Sequence, residues 1–150
     1  LRFLLDTNVC IALINARVLP IRERFDREIS QASDIYVSAL VVFELGYGVA
    51  KSRRREFNAQ LLAAFLSGPV RHLAFDEQDA RIAGELRAEL ESAGRPVGPY
   101  DLLIAGQALR HELTLVSSNT SEFGRVKNLS FEDWSREQLR FPQLPIGPQH

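Results

Sequence analysis

Arg2-Phe3-Leu4-Leu5-Asp6-Thr7-Asn8, followed at once by Val9-Cys10-Ile11-Ala12-Leu13-Ile14, is the stretch on which the fold reading turns. Arg2 to Leu5 reads as a short buried strand, Asp6-Thr7-Asn8 as a turn, and Val9 to Ile14 as an apolar helix, with Asn8 a candidate cap. A buried strand running straight into a helix is the opening of an α/β unit. The pattern then repeats outward. Pro20 to Ala32 is amphipathic, with Ile21, Phe25 and Ile29 four residues apart. Ile35-Tyr36-Val37 is a second strand, and Ser38 begins a turn into a helix that reaches about Ala50. Arg54 to Leu66 is a further helix with Phe57, Leu61 and Phe65 on one stripe, and Val70 to Phe75 a strand candidate. Asp76 with Asp79 has the spacing of a capping pair opening a long helix that Gly94 ends. Pro99 suits a first helical residue, in a helix to about His111; Leu113 to Val116 and Leu129 to Phe131 read as the last strands. The expected fold class is α/β: a central parallel sheet of about four to five strands flanked by helices, an α/β/α sandwich.

The 150 residues suit one domain, 45% hydrophobic and 25% charged. That domain is expected over residues 1–134. Phe141 to His150 carries three prolines and no Lys, Arg, Asp or Glu, so 135–150 reads as a Pro-rich tail and not as a separate domain. No apolar run approaches a bilayer span, and Asp6 interrupts the apolar N-terminus, so no membrane role is expected. The single cysteine excludes an internal disulfide, which points to a cytoplasmic setting. A net charge of −1 argues against holding nucleic acid by bulk charge, but not against contact through a metal and a local basic strip.

Three carboxylates stand alone. Asp6 is the only charged residue between Arg2 and Arg17, Glu44 the only one between Asp34 and Lys51, and Asp101 the only one between Arg95 and Arg110. A buried carboxylate without a partner costs several kcal/mol. A divalent cation shared by all three would offset that. Magnesium suits such a set, because it takes oxygen ligands, keeps waters and needs few direct carboxylates. Each residue also has an ordinary reading: Asp6 as a turn former, Glu44 on a narrow polar stripe, Asp101 complementing a helix dipole. Taken together, those readings require three separate coincidences.

Four segments, in order, resemble the PIN-domain ribonucleases, and within them the toxin half of VapBC-type toxin–antitoxin pairs. They are Leu4 to Asn8, Ser38 to Gly48 around Glu44, Arg95 to Ala105 around Asp101, and Leu115 to Val126 with Asn119, Glu122 and Arg125; Glu132-Asp133-Trp134 closes the match. The resemblance implies a PIN-like fold, Mg²⁺ or Mn²⁺ held by Asp6, Glu44 and Asp101, and cleavage of RNA, with tRNA the first substrate to test. It also implies a homodimer and a small antitoxin partner of the VapB type. Many relatives carry a fourth acid where this chain has Asn119; an amide can orient a metal water but supplies no charge. Thr7, Asn8 and Glu122 are auxiliary candidates.

Lys51, Arg53, Arg54, Arg95 and Arg125 are candidate phosphate contacts, although basic runs at helix starts are commonly solvated. Tyr100 could stack on a base or pack beneath its loop. His72, His111 and His150 lack zinc-ligand spacing, and no Walker or dinucleotide fingerprint appears, so no organic cofactor is expected. Two other readings remain: a non-catalytic PIN-fold regulatory or binding module, and a phosphatase using a strand-end Asp nucleophile. The second expects an acid two residues after Asp6, where Asn8 stands.

Overall fold

A computed structural model describes residues 1–136. The tail expected over 135–150 lies, from residue 137 onward, outside the described residues. The chain runs β1 (Arg2–Leu5), α1 (Thr7–Asn15), α2 (Leu19–Ser30), β2 (Asp34–Ser38), α3 (Ala39–Lys51) and α4 (Arg55–Leu66). It continues through β3 (Arg71–Leu73), α5 (Glu77–Ser92), α6 (Pro99–Arg110), β4 (Thr114–Val116), α7 (Thr120–Phe123) and β5 (Phe131–Glu132). The strands form one five-stranded sheet in the order β3-β2-β1-β4-β5, with every neighbouring pair parallel. Leu4 stands opposite Tyr36 of β2 on one side and Leu115 of β4 on the other. Parallel strands need crossover connections, and the helices between them flank the sheet.

β1 is the central strand, and this explains its sequence. Phe3, Leu4 and Leu5 are all buried, as are Ile35 and Val37 of β2 and Leu115 and Val116 of β4. A strand covered on both faces reads as a continuous apolar run. Full burial of each such side chain contributes about 1.5–3 kcal/mol. No helix among the described residues is long and apolar enough to cross a membrane.

Several local expectations shift. Asp6, not Asn8, caps α1: its carboxylate accepts the Thr7 N–H, and Asn8 lies exposed in the first turn. Phe57 does not join a buried stripe; it is 45% exposed, while Leu62, Phe65 and Leu66 of α4 pack on the core. The last strand is Phe131–Glu132 rather than 129–131, because pairing with Leu115 and Val116 sets its register. The four-residue α7 is too short to show a helical period in the sequence. The Asp76–Asp79 pair forms the expected reciprocal capping box.

α6 is locked against α5. At Gly106 an added Cβ would stand 3.0 Å from the Ala83 Cα, so the two backbones meet where only glycine fits. At the far end of α6, Arg110 donates to the buried Asp79 at 2.9 Å, and the Gln107 amide donates to the Ala74 carbonyl at 3.0 Å. Across the molecule, Arg24 donates to Glu28 at 2.9 Å and to Glu132 at 3.0 Å, and its guanidinium lies near the rings of Phe3 and Trp134. Burial pushes the Glu28 carboxyl up, but hydrogen bonds from Ser33 and Arg24 outweigh it and hold the group below its ordinary 4.5.

Two stability measurements test these contacts. Gly106→Ala should destabilise the fold by about 1–3 kcal/mol in urea titration, because α5 must move away. Glu28→Gln should lower stability by about 1–2 kcal/mol at neutral pH. A depressed folded-state pKa contributes stability above the unfolded value, so the deficit should shrink as pH falls below about 4.5; an equal deficit at pH 7 and pH 3 contradicts this account.

Candidate active site

Asp6 leaves the carboxyl end of β1 and caps α1. Its backbone N–H donates to the Val116 carbonyl at 2.9 Å, which ties the turn to β4. One carboxylate oxygen accepts the Thr7 N–H at 2.8 Å, and the other accepts the Ser117 hydroxyl at 2.8 Å. The side chain is therefore buried, 6% exposed, and held from two directions. Ser117 follows β4 directly, so two adjacent parallel strands deliver the pair at the same sheet edge.

Asp101 lies in the first turn of α6, where the backbone dipoles favour an anion. It accepts the Asn119 amide N–H at 2.9 Å, and the same Nδ2 donates to Glu122 at 2.7 Å. The Asn119 backbone N–H in turn donates to the Ser117 hydroxyl at 3.0 Å. Glu122 also accepts the Gly98 backbone N–H. A continuous chain of hydrogen bonds thus runs from Asp6 through Ser117 and Asn119 to Asp101 and Glu122. Glu44 stands on α3, half-buried, after Ser38 has capped that helix by accepting the Leu40 N–H at 3.1 Å.

Asp6, Thr7, Asn8, Glu44, Asp101 and Asn119 line one cavity of about 320 Å³, closed on one side by Gly98, Pro99 and Tyr100. No Lys, Arg or His is among these lining residues. The excess negative charge registers on Asp101. Burial, a hydrogen bond to the Glu122 carboxyl, and the charges of Glu122 and Asp6 push it up to about 7, against the opposing effect of Asn119. Glu122 moves the other way, held below the usual range by the Gly98 N–H first, then by Asp101 and Asn119. Tyr100 is pushed well above its ordinary value by burial, with Glu44 and Asp6 adding to the rise. The Tyr100 and Thr7 hydroxyl oxygens are buried without a well-formed hydrogen bond among the described residues.

This surface has chemistry that suits a hard divalent cation: carboxylate and amide oxygens with no basic side chain among the lining residues. The acids ring the cavity rather than meeting at a point. Among the described residues, no three or more of His, Cys, Asp and Glu lie close enough to hold an ion together directly. A hydrated ion reached partly through water fits that spacing, and magnesium keeps several waters when bound.

Ser117 was not among the candidates drawn from the sequence. Its signal is positional: a small polar residue one step past a buried strand, beside the strand that ends in Asp6. Glu122, expected only as an auxiliary loop residue, is instead bonded to the backbone entering α6. Asn119 bridges two carboxylates, an orienting position. The basic candidates lie elsewhere. Lys51, Arg53 and Arg54 are exposed around the α3–α4 corner, with Lys51 4.9 Å from the Tyr47 ring centre and Arg54 4.1 Å from that of Phe57. Arg95 is exposed, and Arg125 donates to the Pro96 carbonyl at 2.9 Å.

The PIN domain model matches residues 3–129. The chain is 42% identical over 135 residues to the tRNA(fMet)-specific endonuclease VapC of Shigella flexneri, covering 90% of this chain and 99% of that one. Its fold superposes on VapBC2 from Rickettsia felis, a complex bound to a promoter DNA fragment, with a TM-score of 0.81 and 37% identity over 88% of this chain and 98% of that one. DNA-bound VapBC from Salmonella typhimurium gives a TM-score of 0.81 with 41% identity, over 89% of this chain and 98% of that one. A family match over most of the chain, joined to this sheet order, shows that the protein belongs to the PIN-domain family and is a homologue of the VapC-type ribonuclease toxins of VapBC systems.

Proposed function

We propose that this protein is a metal-dependent endoribonuclease, the toxin of a toxin–antitoxin pair, with Asp6, Glu44 and Asp101 holding Mg²⁺ or Mn²⁺ directly or through water. The observation that carries this reading is the shared cavity: three acids isolated in sequence line one space whose walls contain no cationic side chain. When bound, the ion would neutralise phosphate oxygens and acidify a water near neutral pH. Ser117 and the Thr7 N–H hold the Asp6 carboxylate in one orientation. Asn119 donates to both Asp101 and Glu122 and so orients the pair. Asp101 must be ionised to hold a cation, and the ion's own charge would oppose the neighbours that raise its pKa. Tyr100 and Thr7 line the cavity beside Asp101 and Asp6. Water would attack phosphorus in line, leaving a 5′-phosphate and a 3′-hydroxyl.

The substrate is RNA, with tRNA the first choice because the Shigella relative is named for tRNA(fMet). Lys51, Arg53, Arg54 and Arg95 are the proposed phosphate contacts outside the cavity. A small antitoxin of the VapB type is the proposed partner, as in the VapBC complexes that this fold resembles. An apolar cavity of about 250 Å³ between Ile11, Ile14, Leu45, Val49, Leu61 and Leu62 adjoins Glu44 and suits apolar side chains of such a partner. A homodimer would cover some of the large apolar residues now exposed, Phe43 at 71% and Tyr47 at 61%.

Purified protein should cleave tRNA only with Mg²⁺ or Mn²⁺, and chelation should stop it. Asp6→Asn and Asp101→Asn should each abolish cleavage on a denaturing gel while circular dichroism stays unchanged. Cleavage that survives both substitutions rejects the assignment; binding of RNA or partner without any cleavage would favour the non-catalytic module. Asn119→Ala, which removes an orienting group and no charge, should reduce the apparent Mn²⁺ affinity by about 10–100-fold, read from the metal dependence of the rate.

A further inference from the structure

We infer that Arg125 is a positioning residue: by holding the Pro96 carbonyl it fixes the strand of backbone entering α6 against α7, and so sets where Asp101 stands in the cavity. This inference rests on the ribonuclease reading above. α6 begins without help from its own cap residue, since Gly98 has no side chain and provides no capping bond. The backbone just before α6 is held instead by α7 and the residue past its end. The Glu122 carboxylate accepts the Gly98 N–H, and one turn later Arg125 Nη1 donates to the Pro96 carbonyl at 2.9 Å. One acceptor on α7 and one donor just past its end, three residues apart, thus grip one donor and one acceptor two residues apart in the 95–98 segment.

The grip is close. A Cβ at Gly98 would lie 3.2 Å from the Glu122 Oε1, closer than ordinary van der Waals contact, so the carboxylate would have to give by a few tenths of an ångström. Asp101 is three residues beyond Gly98 and is tied back to the same helix through the Asn119 amide, which reaches Asp101 at 2.9 Å and Glu122 at 2.7 Å. The far end of α6 is already fixed by Arg110 on Asp79 and by the Gly106–Ala83 contact. Its N-terminal end has the α7 clasp. Release of that clasp would let the first turn of α6, and Asp101 with it, shift relative to Asp6. Sub-ångström misplacement of a ligand is enough to weaken a metal site.

This role differs from a phosphate contact in what it predicts. A guanidinium that meets RNA acts on KM and on its salt dependence. A guanidinium that sets Asp101 acts on metal affinity and on kcat. The test uses the purified full chain and compares wild type with Arg125→Ala and Arg125→Lys. Half-saturating Mn²⁺ is measured from the shift in melting temperature, and kcat and KM for tRNA are measured across a salt series. The expected result for Arg125→Ala is a rise of about 10-fold in half-saturating Mn²⁺ and a fall of similar size in kcat, with KM and its salt slope unchanged. Arg125→Lys, which keeps the charge without the fork of donors, should recover only part of the loss. Arg125→Gln, which keeps an amide donor for the Pro96 carbonyl without the charge, should raise half-saturating Mn²⁺ less than Arg125→Ala, and it carries the test should Arg125→Ala fail to fold.

Arg125 is instead an RNA contact if KM rises, its salt slope falls by about one phosphate, and the Mn²⁺ midpoint stays put. An unchanged Mn²⁺ midpoint in a folded Arg125→Ala protein overturns the inference by itself. Wild-type protein that binds Mn²⁺ but cleaves no RNA would defeat the ribonuclease reading, and the melting series would still decide whether Arg125 governs the metal site.

Discussion

Like charges facing one cavity repel, and in a partly dry site that repulsion is substantial: about 4 kcal/mol for two unit charges 4 Å apart at an effective dielectric constant of 20. Asp6, Glu44 and Asp101 face such a cavity with no basic side chain in its walls. Glu122 bonds to Asp101 and adds a further carboxyl. Most of the polar contacts nearby serve to hold these groups where repulsion would otherwise part them. The Thr7 N–H and the Ser117 hydroxyl hold Asp6, the Asn119 amide donates to both Asp101 and Glu122, and the Gly98 N–H holds Glu122. The first turn of α6 supplies its dipole to Asp101. This is a site built to be negative, and a divalent cation is the partner that such a surface suits best.

The sheet order explains why these groups converge. From β1 the chain moves outward through β2 to β3, then returns across to β4 on the opposite side of β1. In an open α/β sheet, ligands bind beyond the carboxyl ends of the strands at the point where this order reverses. Asp6 ends β1, Ser117 follows β4, and Ser38 ends β2 and caps the helix that carries Glu44. Only α6 must bring its acid from outside the sheet. Its anchorage is correspondingly heavy: close glycine packing on α5, an ion pair from Arg110 to the buried Asp79 at one end and the clasp from Glu122 and Arg125 at the other.

The site draws its groups from strand ends and from helices. Asp6 and Ser117 are carried on strands inside the core, where displacement would disturb Leu4, Leu5, Leu115 and Val116. Asp101 is carried on the first turn of the twelve-residue α6 and Glu122 on the four-residue α7. The exposed aromatic residues of α3, beside Glu44, leave that wall open to contact.

Much of this was readable in the chain. Leu4-Leu5-Asp6 announces a buried strand that ends in an acid, because only a strand covered on both faces carries so continuous an apolar run. The isolation of Asp6, Glu44 and Asp101 in uncharged segments marks them, because such segments are buried and a lone charge there requires a reason. The capping box at Asp76 and the start of α6 at Pro99 follow from local backbone chemistry. What the chain could not reveal is which side chains meet across long separations. Ser117 bonds to Asp6 across 111 positions, and Glu122 reaches Gly98 across 24. Nothing in a single serine or a single loop glutamate distinguishes it from its solvated neighbours until the register of β1 with β4 places it. The same holds for Arg125, whose charge suggests a nucleic acid and whose position supplies a carbonyl instead. Residue type and local spacing are properties of the chain; partnership between distant polar groups is decided by strand pairing and helix packing, and only the folded arrangement displays it.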